Sequence, residues 1–219
     1  MNKIEELIKL HCPNGVEFKE LGEIGEFVRG SGLQKKDFIE SGVGCIHYGQ
    51  IYTYYGTFAY NTKSFVSPEL AKTLKKVQTG DLIIASTSEN IEDVCKTVAW
   101  LGEYEIVTGG HATIFKHNQN AKYLAYFTQT EIFFEQKKKY AKGTKVIDVS
   151  AKDLAKIVIP VPPPIIQQEI VAILDKFKQL EAELELELTN ELEARKKQYD
   201  FYRSKLLSFS DLNTCGGGG

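Results

Sequence analysis

Apolar positions Ile4, Leu7, Ile8 and Leu10 share one face of a helix over residues 2–10, which Cys12-Pro13-Asn14-Gly15 stops. From Val16 to Tyr60, β-branched and aromatic residues recur between eight glycines, the pattern of short strands joined by tight turns. Ser67-Pro68-Glu69 has a capping serine, proline at the first helical position and an acid in the first turn, which predicts a helix running to about Lys76. Gly80-Asp81 then turns into Leu82-Ile83-Ile84-Ala85, an apolar run that suits a buried strand. Val94–Trp100 and His111–Lys116 read as two more strands. Leu124, Phe127 and Phe134 give Ala121–Lys139 the spacing of one amphipathic helix, with Gly143 as its break. Ser150-Ala151-Lys152-Asp153 has the form of a capping box and predicts one further helical turn.

Ile159-Pro160-Val161-Pro162-Pro163-Pro164 marks the clearest boundary, because three consecutive prolines exclude a helix interior or a central strand. The pattern divides the chain into a domain over 1–160, a proline-rich linker over 161–165, a helix over 166–209 and a flexible tail over 210–219. In the helix, Ile166, Ile170, Ile173, Phe177, Leu180 and Leu184 alternate spacings of four and three, a heptad seam. Leu188 and Leu192 follow at four and four, a stutter that relaxes left-handed supercoiling, before Tyr199, Tyr202 and Leu206 resume the alternation. At ~1.5 Å per residue such a helix reaches ~66 Å. One domain cannot cover that length, so the seam is expected to pack on another helix rather than fold back on its own domain.

Charge sharpens the picture of the helix. Glu181, Glu183, Glu185, Glu187, Glu191 and Glu193 precede Arg195, Lys196, Lys197, Arg203 and Lys205, so parallel copies in register would set like charges together. Antiparallel pairing brings part of the basic end towards the acidic stretch, a modest preference at ~0–1 kcal/mol per exposed pair. Over the whole chain 27 basic residues face 29 acidic ones. Any basic face is therefore local, and two stretches offer one: Lys35-Lys36, and the set Lys137, Lys138, Lys139, Lys142 and Lys145. A solvated helix end is the alternative reading of the latter.

Catalytic patterns are missing. No GxxxxGK[ST] loop, GxSxG elbow or HExxH occurs, and Gly30-Ser31-Gly32 does not extend to GxGxxG. Cys12, Cys45, Cys95 and Cys215 are far apart, and the four histidines lack close pairing, so no metal site is expected. Ser86-Thr87-Ser88-Glu89 reads as hydrogen-bonding loop chemistry. Glu135-Gln136-Lys137 matches the acid-x-lysine half of many nuclease sites, with no Pro-Asp before it. The apolar runs are too short to span a membrane and the N-terminus lacks a secretory core, which predicts a cytoplasmic protein.

Polar and aromatic residues on loops remain. His47–Gly56 holds four tyrosines, a glutamine and a histidine; strand alternation would send Tyr48, Gln50, Tyr52 and Tyr54 to one face. Gln reads adenine bidentately in the major groove, and Arg or Lys reads guanine. The candidates for base readout are Arg29, Gln34, Lys35, Tyr48, Gln50, Tyr52, Ser86 and Ser88. For DNA phosphate they are Lys36, Lys137, Lys138, Lys139, Lys142, Thr144 and Lys145. An ordinary half-buried strand is the alternative for the tyrosine stretch.

Across Ile157–Phe209 the strings KIVIPVPPPIIQQEIVAILDKF and ELEARKKQYDFYRSKLLSF resemble the junction of recognition domain and conserved helix in type I restriction–modification specificity subunits. AKGTKVIDVSAKDL is similar to the end of that family's recognition domain, and FKELGEIGEFVRGSG to its start. The resemblance implies an α+β fold: a mixed α/β target-recognition domain with short strands and Gly-rich loops, followed by one long coiled-coil helix. It implies a non-catalytic subunit that binds double-stranded DNA and recruits a methyltransferase subunit, with a restriction subunit in the full complex. S-adenosylmethionine, ATP and Mg are then expected on the partners and none on this chain.

The usual member has two recognition domains and two such helices, whereas this chain has one of each. It is a half-length subunit or a truncation. The seam residues Ile170, Ile173, Phe177, Leu180, Leu184, Leu188, Leu192, Tyr199, Tyr202 and Leu206 would close an antiparallel homodimer reading a palindromic, split site. The terminal glycines are either an appended scar or a translated run of guanines. A coiled-coil scaffold without DNA readout, and a stand-alone nuclease, are the competing classes.

Overall fold

Leu82-Ile83-Ile84-Ala85 lies at the centre of the fold, buried on both faces. The computed structural model describes residues 3–209. In chain order the first half comprises α1 (Lys3–His11), β1 (Phe18–Glu20), α2 (Leu21–Ile24), β2 (Gly25–Arg29), β3 (Val43–Ile46), α3 (Tyr48–Thr53), β4 (Phe58–Ala59), β5 (Ser64–Val66), α4 (Pro68–Ala71) and β6 (Lys75–Val77). The second half comprises β7 (Leu82–Ala85), β8 (Thr87–Ser88), β9 (Thr97–Trp100), β10 (Ile106–Thr108), β11 (Ala112–His117), α5 (Ala121–Phe127), α6 (Glu131–Tyr140), β12 (Ile147–Asp148), α7 (Ala151–Leu154), β13 (Val158–Pro160) and α8 (Pro164–Ser208).

Strand β7 is third in a five-stranded sheet of order β2-β11-β7-β9-β4, antiparallel except where β4 meets β9. A second sheet runs β5-β3-β10-β6. Alternation along β7 sends Leu82 and Ile84 to a core shared with Leu124, Phe133, Leu154 and Ile157 of the helical side. Ile83 and Ala85 point the other way, joining Ile46, Ile51, Val77 and Ile106 between the two sheets. A third cluster, Leu33, Val66, Leu74 and Val107, lies beyond the second sheet against α4. The mixed α/β architecture with short strands and a long C-terminal helix is therefore the one the sequence predicts.

Four local expectations are corrected. The helix at Ser67-Pro68 has its serine cap on Leu70 N–H but stops at Ala71, because Lys75–Val77 pair with β10. The stretch 121–139 is two helices, α5 and α6. Thr128 and Thr130 donate back to the Ala125 and Phe127 carbonyls, and Thr130 caps α6. Tyr48–Thr53 is helix α3, so Tyr48, Gln50 and Tyr52 do not share a strand face. The proline-rich linker predicted over 161–165 ends earlier: Val161 N–H donates to the Glu17 carbonyl, and Pro164 already opens α8, a position proline tolerates because its missing N–H has no helical partner.

Strand β13 returns beside β1, in register Phe18↔Pro160, Lys19↔Ile159 and Glu20↔Val158. The fold divides after Val171 into two units. The first turns of α8 belong to the first unit, with Ile166, Gln167 and Val171 buried and Ile170 packed at the edge of the helical-side core. Gln167 accepts from Asn120 N–H and donates to the Pro162 carbonyl and to Gln119. The second unit is, among the described residues, the rest of α8. There Ile173, Phe177, Leu180, Leu184, Leu188, Leu192, Tyr199, Tyr202 and Leu206 are exposed, together with Leu186, Phe201 and Leu207. Two intrahelical pairs, Arg195–Glu191 at 2.8 Å and Arg203–Asp200 at 2.9 Å, satisfy part of its charge. The predicted tail 210–219, with Cys215 and the glycines, lies outside the described residues.

Candidate nucleic-acid interface

The register of the five-stranded sheet brings three strand ends to one edge. Arg29 closes β2 opposite Thr113 of β11, and Ala85 closes β7 opposite Ala112. Beyond them the chain crosses itself at close range. A Cβ on Gly30 would sit 2.1 Å from the Gly109 oxygen, and one on Gly109 would sit 2.0 Å from Leu33 Cβ, so both positions demand glycine. Gly30 N–H donates to the Ala112 carbonyl, and Ser86 N–H to that of His111. These contacts hold His111 at φ 67°, the left-handed region that non-glycine residues seldom occupy.

Around this crossing the loop Gly32–Lys35, the start of α3 and the loop Gly110–His111 enclose an open cleft of about 380 Å³. The Tyr48 ring lies 5.0 Å from His111 and 4.5 Å from His47. His47 caps α3: its Nδ1 accepts from Gly49 N–H at 3.1 Å, and its own N–H donates to Gln50 Oε1. Burial, with Lys35 and His111 nearby, holds the His47 imidazole below its usual pKa.

Next to the cleft, β12 pairs with β8, and Val149 N–H donates to the Ser86 carbonyl. That pairing carries Asp148 to Arg29, 3.5 Å away. Lys142 exchanges both backbone hydrogen bonds with Asp148. Between them Gly143 turns at φ 113°, where a Cβ would meet the Val146 oxygen at 1.9 Å. Thr144 and Lys145 are exposed at the turn. Lys142 reaches Asp153 at 3.2 Å with most of its side chain in solvent.

The fold thus gathers Arg29, Gln34, Lys35, Tyr48, Ser88, Lys142, Thr144 and Lys145 along one edge, and it withdraws others. Gln50 is buried, donating to Ser64 Oγ at 2.7 Å. Ser86 is buried with its hydroxyl 2.6 Å from that of Thr113. Tyr52 donates its hydroxyl to the Thr87 carbonyl, and burial pushes its phenol pKa up. Lys137 is 5% exposed and donates to the Glu92 and Val94 carbonyls at 2.7 and 2.6 Å, so it belongs to no phosphate-facing surface. Its neighbours Lys138 and Lys139 are exposed, as is Lys36. The readings of Gln50, Ser86 and Lys137 as DNA contacts are corrected on these grounds: their polar atoms already serve the fold.

Two residues at this edge escaped the sequence reading, His111 and Asp148, and His47 entered it only as part of the 47–56 stretch and not as a candidate contact. The glycine pair before His111 was the available signal. A larger cleft of about 840 Å³ lies where α1 ends beside the proline segment, lined by carboxamides including Asn118, Gln119, Asn120 and Gln167. Gln119 and Gln167 there bond to each other and to the backbone, which marks a structural junction. Among the described residues no group of three His, Cys, Asp or Glu is placed to hold a metal.

Comparison with known proteins supplies the context. The sequence profile of the Type I restriction modification DNA specificity domain matches residues 13–194. The EcoR124I/EcoR124II specificity subunit of a type I restriction enzyme from Escherichia coli is 30% identical over 205 residues, covering 91% of this chain and 50% of that protein. A chain from a structure of a type I restriction–modification system aligns with TM-score 0.61 at 20% identity, over 90% of this chain and 48% of the other. The HsdS subunit from Thermoanaerobacter tengcongensis aligns with TM-score 0.56 at 20% identity, over 83% and 43%. These two structures share the fold. The chain spans about half the length of the curated relatives it matches.

Proposed function

This chain belongs to the type I restriction–modification DNA specificity family, and we propose that it reads one half of a bipartite DNA site and recruits a methyltransferase subunit to it. The observation that carries this reading is the edge just described. Side chains of the type that reads bases (Arg29, Gln34) stand beside exposed cations at Lys35, Lys142 and Lys145, the mixture of readout and phosphate contact that sequence-specific binding needs. Methyl transfer from S-adenosylmethionine and ATP-driven, Mg-dependent cleavage are assigned to partner subunits. This chain supplies address and geometry. Among the described residues no helix is long and apolar enough to cross a membrane.

The exposed seam of α8 supports assembly as an antiparallel homodimer. Such an apolar stripe, over more than eight turns, calls for a partner helix. Two identical readers related by a two-fold axis recognise an inverted repeat, separated by a gap that the helix length sets.

Co-expression with type I methyltransferase subunits, followed by mapping of methylated adenines, tests the reading. The expected result is a single split palindrome. Methylation without a motif, or DNA binding indifferent to sequence and salt, would return the chain to the scaffold class.

A further inference from the structure

We infer that the cleft between Lys35, His47, Tyr48 and His111 holds one backbone phosphate of double-stranded DNA. The inference rests on the DNA-reading function proposed above and names a contact within it.

The cleft offers donors and no acid. Its lining includes Lys35, exposed and in no ion pair among the described residues, together with two imidazoles, and no Asp or Glu. His47 Nδ1 is occupied as the acceptor of Gly49 N–H, so the neutral ring carries its proton on Nε2, for which the described residues provide no acceptor. The His111 side chain likewise has no hydrogen-bond partner among them; it only faces the Tyr48 ring. The glycine crossing fixes that imidazole through a strained φ, a cost that a purely packing residue would not require. The charged or titratable groups facing His47 from the neighbouring elements are Lys35 and His111, both of which oppose its protonation. A phosphate between them offsets the positive charge of Lys35 and accepts from the His47 Nε2–H. A guanine edge, which also presents acceptors, is the competing occupant, and it would make binding depend on one base pair.

The test uses the full chain with a duplex carrying its methylation motif and a second duplex without it, titrated across a salt series. Lys35→Gln is expected to flatten the slope of log K against log salt by about one, with Lys35→Arg restoring it. His111→Asn suits the left-handed backbone and removes the imidazole. It is expected to weaken binding to both duplexes by a similar factor, because a phosphate contact carries no sequence information. An unchanged salt slope in Lys35→Gln together with unchanged affinity in His111→Asn would overturn the phosphate cleft while leaving DNA reading intact. Relaxed specificity at one base pair would overturn it in favour of a base contact. If the unsubstituted chain binds neither duplex, the DNA-reading function itself falls.

Discussion

Arg29 and Asp148 meet at 3.5 Å, 119 residues apart in sequence, and tie the end of β2 to the turn that carries Lys142 and Lys145. Both side chains are substantially exposed, so the pair contributes little stability, about 0–1 kcal/mol. Its effect is positional: the carboxylate holds the guanidinium at the sheet edge and offsets its charge.

Replacing Asp148 with Ala is therefore expected to leave the melting temperature nearly unchanged and to tighten DNA binding severalfold, most clearly at low salt. Arg29→Ala should weaken binding by roughly 1–3 kcal/mol and relax the methylation motif at one position. Fluorescence anisotropy and methylome sequencing read the two effects. An unaltered motif in Arg29→Ala would remove that residue from base readout.

Lys137 and Lys142 look alike in sequence and separate in the structure. Lys137→Met deprives two carbonyls of their donor, at about 1–3 kcal/mol for a buried unsatisfied group, and should lower thermal stability without changing the salt dependence of DNA binding. Lys142→Ala should do the reverse, flattening the salt slope by about one with a small change in melting. Calorimetry alongside binding titrations distinguishes them.

The pH dependence of stability follows from His47. Its pKa in the fold is lowered by burial and then by Lys35 and His111, so below an unfolded-state value of ~6.5 the unfolded chain binds protons that the native chain does not. Stability is fully present above that value and is lost as pH falls towards the folded pKa. Protonation would also cost the Gly49 N–H its acceptor. His117, lowered chiefly by burial, adds the same sign. Melting temperatures at pH 7.5 and 5.5 should differ, and His47→Asn, which caps without titrating, should reduce that difference.

The seam of α8 makes a prediction about mass. Leu184→Glu with Leu188→Glu sets two charges into the apolar stripe and is expected to convert a dimer to a monomer at micromolar concentration by light scattering. The melting of the first unit, which has its own core, should change little. Removing seven residues between Leu184 and Leu192 should shorten the unread gap and preserve both half-sites. A wild-type monomer would refute the homodimer.

Much of this fold was readable in the sequence. The run Leu82–Ala85 announced a strand buried on both faces, and the heptads announced α8. The error at 47–56 is instructive. Tyr48, Ile51, Tyr52 and Tyr55 fall at i, i+3, i+4 and i+7, a helical stripe that packs between the sheets, yet the stretch also alternates. Local pattern cannot arbitrate there; packing of Ile51 and Tyr55 against Ile83 and Trp100 does. The turn at 128–130 was hidden because two short helices with apolar residues in phase look like one. Lys137 sits one turn after buried Phe133, and no compositional rule separates it from Lys138 and Lys139. The candidate edge was legible as residue types and illegible as a place, because crossing glycines and strand register, not sequence neighbours, bring Arg29, His111 and Asp148 together.

The pairing of β1 with β13 has an evolutionary corollary. Entry and exit of the segment Phe18–Pro160 lie side by side, clamped by main-chain hydrogen bonds that depend on no particular side chain. Whatever is spliced between those two strands inherits the same doorway onto α8. Under the proposed function, exchanging this cassette for one with other loops would change the DNA sequence that is read while the exposed stripe of α8 stays as it was.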